Sequence, residues 1–204
     1  MTDKQSSKKL SIREMFQNIA SGVRDFFDPH SGYIQMRLPV EKITKKFENS
    51  LKDKVDHEYI HADVREAKRE DLNDIMKLYN QAWHSSKMPI REVGKDKFIK
   101  IFEDPDTVFL IAEVDNSEVG FILLDLEGDK KEIGVIAGLG VLPRCQHKGL
   151  GTILGLASWN FFKERGIKEL RCEVYKDNDL AYKFIKNLGF EEYRSSGDHL
   201  LTFK

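Results

Sequence analysis

The chain holds only two cysteines and five prolines in 204 residues. Cys145 and Cys172 are too few for a disulfide framework and too sparse for a zinc site, so free thiols and no metal are expected. No apolar run approaches the ~20 residues needed to cross a bilayer. The N-terminal stretch MTDKQSSKKLSIREMF lacks the apolar core and cleavage site of a secretory signal. A net charge of −1 supplies no global field to draw the chain onto nucleic acid or anionic lipid. Interleaved basic and aromatic residues, which would mark a single-strand binder, are missing too. So are both common nucleotide loops, G-x-x-x-x-G-K-[ST] and G-x-G-x-x-G, which excludes a P-loop and a Rossmann oxidoreductase. These absences leave a cytoplasmic protein with no nucleic-acid or membrane partner. What is present suits a globular core: 40% hydrophobic and 33% charged residues.

Two regions differ in charge and rhythm. Residues 1–57 carry 11 Lys+Arg against 8 Asp+Glu, and the remainder 22 against 26. The first region reads as an N-terminal helical extension of two amphipathic helices. One stripe runs through Leu10, Ile12, Met15, Phe16, Ile19, Val23, Phe26 and Phe27; DPHSG breaks it. After Pro39 a second stripe holds Val40, Ile43, Phe47 and Leu51. These stripes suit packing on the main domain, or contact with a second copy in a homodimer. From residue 58 to 204 strands and helices alternate. REDLNDIMKLYNQAWH and KDKFIKIF read as helices, and TVFLIAEV, EVGFILLDLE and EIGVIAGLGVL as strands. A helix from Gly149 to about Arg165, the strand ELRCEVY and a helix from about Asp179 to Leu188 follow. A last strand pair, FEEYR and LLTFK, is joined by SSGD. The fold class expected is α/β, with a mixed, mostly antiparallel sheet flanked by helices.

VLPRCQHKGLGT (Val141 to Thr152) lies between a strand and a helix. A helix start offers unpaired N–H groups and the positive end of the dipole, which suits phosphate. Gly149 and Gly151 let oxygens approach the backbone without a Cβ in the way. Gln146 and Lys148 add donors and charge. Replacing either glycine by a bulky residue is expected to weaken anion binding with little effect on folding.

QHKGLG (Gln146 to Gly151) matches Gln/Arg-x-x-Gly-x-Gly/Ala, and LGVLP before it is a small–Val–x–Pro run. Further on, Asn178, Ala181, Phe184, Gly189 and Phe190 fit Asn-x-x-Ala followed by an aromatic run and Gly-Phe. In these two motifs and in element order the chain resembles the GNAT superfamily of N-acetyltransferases over about 145 residues. The resemblance implies acetyl-CoA, or another acyl-CoA, lying between two splayed strands as cosubstrate. The backbone of Leu139, Gly140 and Val141 would then pair with the pantetheine arm. Gln146, His147, Lys148, Gly149, Leu150, Gly151 and Thr152 would hold the pyrophosphate. Asn178 would serve the pantetheine or cap the following helix.

The implied reaction is direct attack of an amine on the thioester. It needs a deprotonated amine, a stabilised oxyanion and a tolerated thiolate. Where many relatives carry the acidic tyrosine this chain has Ile185, so Tyr182, one helical turn earlier, and Tyr175 are candidates for the acid. Where several relatives carry a basic glutamate it has Val135. Glu132, Asp125, Glu127 and His84 are candidates for the base, whereas Asp129 reads as a solvated hairpin residue. Trp83, Met88 and Phe98 either line the acceptor side or belong to the core. The acceptor amine, small molecule or protein, is left open. The alternative is a non-catalytic acyl-CoA-binding or scaffold protein of the same fold.

Overall fold

The computed structural model describes residues 32–57, 59–84 and 93–193, with the side chains of residues 83 and 84 outside that description. Seven strands form one sheet: β1 (Tyr33–Pro39), β2 (Asp63–Glu66), β3 (Thr107–Val114), β4 (Ser117–Glu127), β5 (Ile133–Val141), β6 (Glu169–Tyr175) and β7 (Glu191–Glu192). The helices are α1 (Lys45–His57), α2 (Leu72–His84), α3 (Lys95–Phe102), α4 (Leu150–Glu164) and α5 (Asp179–Asn187). Sheet order is β2-β3-β4-β5-β6-β1-β7. Every neighbouring pair is antiparallel except β5 and β6, which run parallel across the crossover helix α4. The expected mixed, mostly antiparallel α/β sheet is borne out.

Alternation along the strands sends side chains to two cores, one on each face. On one face Phe161 and Phe162 of α4 join Ile122, Leu124, Leu170 and Cys172. Gly134 makes room for this, since a Cβ there would lie 2.7 Å from the Phe162 ring. On the other face Tyr79 of α2 and Phe98 of α3 meet Phe109 and Phe121, with ring centroids 5.4–6.5 Å apart. Phe98 is fully buried, so of its two readings the core one holds. Both cysteines are buried free thiols.

The sequence reading places only helices before residue 58, and β1 corrects it. Tyr33–Pro39 pairs with the whole of β6, from Tyr33 opposite Tyr175 to Pro39 opposite Glu169. Its pattern has period two: Met36 and Leu38 are buried with Ile34 beside them, while Tyr33, Gln35 and Arg37 turn to the other face. The second stripe does form a helix, α1, which lies on α4 and joins it through Glu48 and Lys163 at 2.8 Å. The first helix expected, and the LLTFK strand, fall outside the described residues. Within them, β7 takes β1 as its neighbour.

Candidate active site

β5 and β6 are paired only from Ile133/Glu169 to Ile136/Cys172. Beyond that point they part. The cause is local: Leu123 faces Gly138 while Leu124 faces Ile136, so Ala137 is an extra residue that bends β5 at a bulge. Leu142 N–H bonds back to Val119 C=O on the β4 side at 2.9 Å. Successive residues of a strand turn their amides to opposite edges, so the backbone groups of Leu139 and Val141 face the open side. Gln146 Nε2 donates to Val141 C=O there at 3.0 Å, which folds this side chain against the strand end.

Past β5, Pro143–Cys145 makes a 3₁₀ turn and α4 starts at Leu150 with Gly149 as its N-cap. His147 and Gly149 have φ of 61° and 86°. No side chain caps this helix. Among the described residues, the amides of Lys148, Gly149, Leu150 and Gly151 meet no backbone acceptor, whereas Thr152 N–H bonds to Gly149 C=O at 2.9 Å. Four open donors at the positive end of a 15-residue helix, beside the open edge of β5, suit an anion. His147 and Lys148 are exposed next to it.

The two glycines have different tasks. A Cβ on Gly149 would sit 2.0 Å from the Tyr59 ring, and its φ is left-handed, so this glycine is required by packing as well. The expectation that its replacement spares folding is therefore overturned. At Gly151 a Cβ would meet only the Phe184 ring, at 3.4 Å, which is ordinary contact.

The candidate catalytic residues are scattered. Tyr182 donates its hydroxyl to Glu192 on β7, two strands beyond β6, and this acceptor raises the phenol pKa. Glu132 closes the β4–β5 hairpin: its carboxylate accepts from Lys130 N–H at 2.9 Å and packs under Gly128, at the end of β5 remote from the glycine loop. His84 ends α2, its side chain outside the described residues, as are Met88 and the side chain of Trp83. Asn178 caps α5, its Oδ1 accepting from Ala181 N–H at 3.1 Å. Val135 and Ile185 are buried, and Asp129 is exposed.

Asp125 differs from these carboxylates. It is 3% exposed and lies directly across from Val135, one residue short of the last paired position of β5. Burial, with the charge of Glu127 second, pushes its pKa up to about 7. On its other side Thr107 is also buried, its hydroxyl without a partner among the described residues. Val135, where the resemblance led to the expectation of a basic glutamate, is apolar, and its immediate cross-strand neighbour Asp125 is a carboxylate that titrates near neutrality. No trio of His, Cys, Asp or Glu among the described residues is arranged to hold a metal ion.

Comparison with known proteins agrees with this geometry. The family model for the acetyltransferase (GNAT) family matches residues 70–190. An uncharacterized N-acetyltransferase of Methanocaldococcus jannaschii is 27% identical over 136 residues, 63% of this chain and 60% of that protein. A spermidine N(1)-acetyltransferase of Thermoplasma acidophilum is 24% identical over 157 residues, 70% of this chain and 96% of that one. The chain thus spans less than two thirds of the first relative and nearly all of the second. Among solved structures, the PaiA N-acetyltransferase of Thermoplasma acidophilum in complex with coenzyme A superposes with a TM-score of 0.58 at 23% identity, covering 68% of this chain and 94% of that one. With a parted strand pair, an uncapped glycine-led helix and a family model over more than half its length, the chain belongs to the GNAT family of acetyltransferases.

Proposed function

We propose that the protein is an acetyl-CoA-dependent N-acetyltransferase that acts in the cytoplasm on a primary amine. The observation that carries this reading is the continuity of the open β5 edge with the uncapped start of α4. Bound there, acetyl-CoA supplies a thioester whose acyl group passes to the amine. The residues fit it: the amides of 148–151 suit the pyrophosphate, and the outward groups of Leu139 with the Val141 N–H suit an extended arm hydrogen-bonded like a strand. A backbone N–H on the same edge is available to the carbonyl oxygen as it gains charge.

Asp125 is the group assigned to take up the proton released by the acceptor, reached through water from the point where β5 and β6 part. A carboxylate near pKa 7 suits base work at neutral pH, which supports this role. The departing thiol ionises near pH ~8.5, so its release needs no dedicated acid. Tyr182→Phe is accordingly expected to change kcat by less than about threefold, because Glu192 already holds the hydroxyl. A tenfold loss of kcat at unchanged acetyl-CoA affinity would restore Tyr182 as the acid. The acceptor class follows the family and the named spermidine relative only as far as an amine.

Calorimetric titration with acetyl-CoA, beside NAD and ATP, tests the reading. Saturable micromolar binding of acetyl-CoA alone, followed by amine-dependent release of free thiol, is the expected result. Absence of binding refutes it; binding without thiol release from any amine leaves an acyl-CoA-binding protein.

A further inference from the structure

The face of the sheet that carries Tyr79 continues past the parted strands onto β6 and β1. Glu173 of β6 lies directly opposite Gln35 of β1, and the Gln35 amide donates to the Glu173 carboxylate. Two residues along, on the same face, Tyr33 stands opposite Tyr175 with rings edge to face and centroids 5.5 Å apart. Burial and then the Glu173 charge push the Tyr33 phenol pKa up, so this phenol shares the carboxylate's surroundings. Tyr79 is buried on α2 against Phe121, the ring that occupies the space above Gly140, and burial pushes its own phenol pKa up. Glu173 lies one residue beyond Cys172, where the pairing ends.

We infer that Glu173, oriented by Gln35 and walled by Tyr33 and Tyr175, binds the acceptor's ammonium group, so that β1 supplies half of the acceptor site. The inference rests on the acetyltransferase reading and gives it a substrate class: alkyl primary amines, cationic at neutral pH. An ammonium offers three donors and a compact charge. A carboxylate flanked by two aromatic rings matches both, through a charge-assisted hydrogen bond and through the ring faces. β1 precedes residues 70–190, the part of the chain that the family model matches. A wall built from it can set this chain's acceptor apart from those of its relatives.

The test is calorimetric titration of 1,4-diaminobutane into the full chain saturated with CoA, with acetyl-CoA binding measured on every variant. The wild type is expected to bind the diamine, and Glu173→Gln to weaken it at least 30-fold while acetyl-CoA affinity is unchanged. The exchange Gln35→Glu with Glu173→Gln, which returns a carboxylate to the same strand pair, is expected to recover at least tenfold of that loss. A neutral arylamine, 4-methoxyaniline, is expected to bind wild type and Glu173→Gln within threefold of each other. Diamine affinity indifferent to Glu173→Gln, no diamine binding by the wild type, or failure of the exchange to recover any affinity overturns the inference. Failure of acetyl-CoA to bind the wild type instead overturns the acetyltransferase reading beneath it.

Discussion

Gly151→Asp is expected to weaken acetyl-CoA binding about 100-fold while the melting temperature stays level or rises. The two halves of this result have opposite electrostatic signs at one place. Gly151 is the second residue of α4, where a carboxylate faces the positive end of the helix and contributes about 0.3–1 kcal/mol of stability. Aspartate is also a slightly better helix residue than glycine, by about 0.3 kcal/mol. The new side chain has room, since only the Phe184 ring lies near a Cβ there, at 3.4 Å. The same carboxylate would stand about 5 Å from a pyrophosphate held by the amides of 148–151, and at an effective dielectric of about 20 that repulsion is about 3 kcal/mol. Gly149→Ala makes the contrast: the collision with Tyr59 and the left-handed φ should lower the melting temperature before any ligand is added. Calorimetry and thermal melting on both variants check this. A Gly151→Asp protein with undiminished acetyl-CoA affinity removes the anion site from the helix start.

Asp125→Asn should stabilise the protein at pH 8 by about 1–3 kcal/mol and lower kcat at least tenfold. In the unfolded chain this carboxyl titrates at its ordinary value of 3.8; in the fold, burial first and Glu127 second bring it to about 7. Between those two values the folded protein retains a proton that the unfolded chain has lost. The contribution of Asp125 is thus complete below pH ~4, declines as pH rises, and is gone above pH ~7. Replacing it with a neutral amide removes that decline, so the two proteins should melt together at pH ~4 and below and separate by roughly 2–10 °C at pH 8. Turnover should move the other way, rising in the wild type through pH ~7 as the group ionises and losing that limb in the variant. Equal kcat for the two proteins would remove Asp125 from the proton path and leave a buried carboxyl whose cost has no return.

Much of the fold is legible because its signals are local. KDKFIKIF, TVFLIAEV and ELRCEVY coincide with α3, β3 and β6: the first keeps a helical stripe, the second is a continuous apolar run and the third alternates. The glycine loop is legible for the same reason, its donors, glycines and helix start being consecutive. β1 is less so. YIQMRLP alternates for only seven residues between DPHSG and a helical stripe, and its partner lies far along the chain. The proposed acceptor side is harder still, because Gln35 and Glu173 come from two strands far apart in sequence that only the sheet order brings together. Spacing also cannot reveal that Gly149 makes room for Tyr59, since that contact joins segments remote in sequence. Tyr182 shows the converse: its helical position is as read, but Glu192 on a neighbouring strand decides where its hydroxyl goes.

The sheet position of β1 also shapes how the protein is made. Gln35 must wait for a partner 138 residues downstream. At ~5–20 residues per second, β1 leaves the ribosome on the order of 10 s before β6 is synthesised. Throughout that interval Ile34, Met36 and Leu38 form an apolar row with no strand to cover them, a segment suited to a nascent-chain chaperone. β2 to β5 can pair in order as they emerge, each with its predecessor. Closure of the sheet then falls to the earliest strand among the described residues, which docks only after β6 has appeared, so completion of the proposed acceptor wall is a late event in the birth of the molecule.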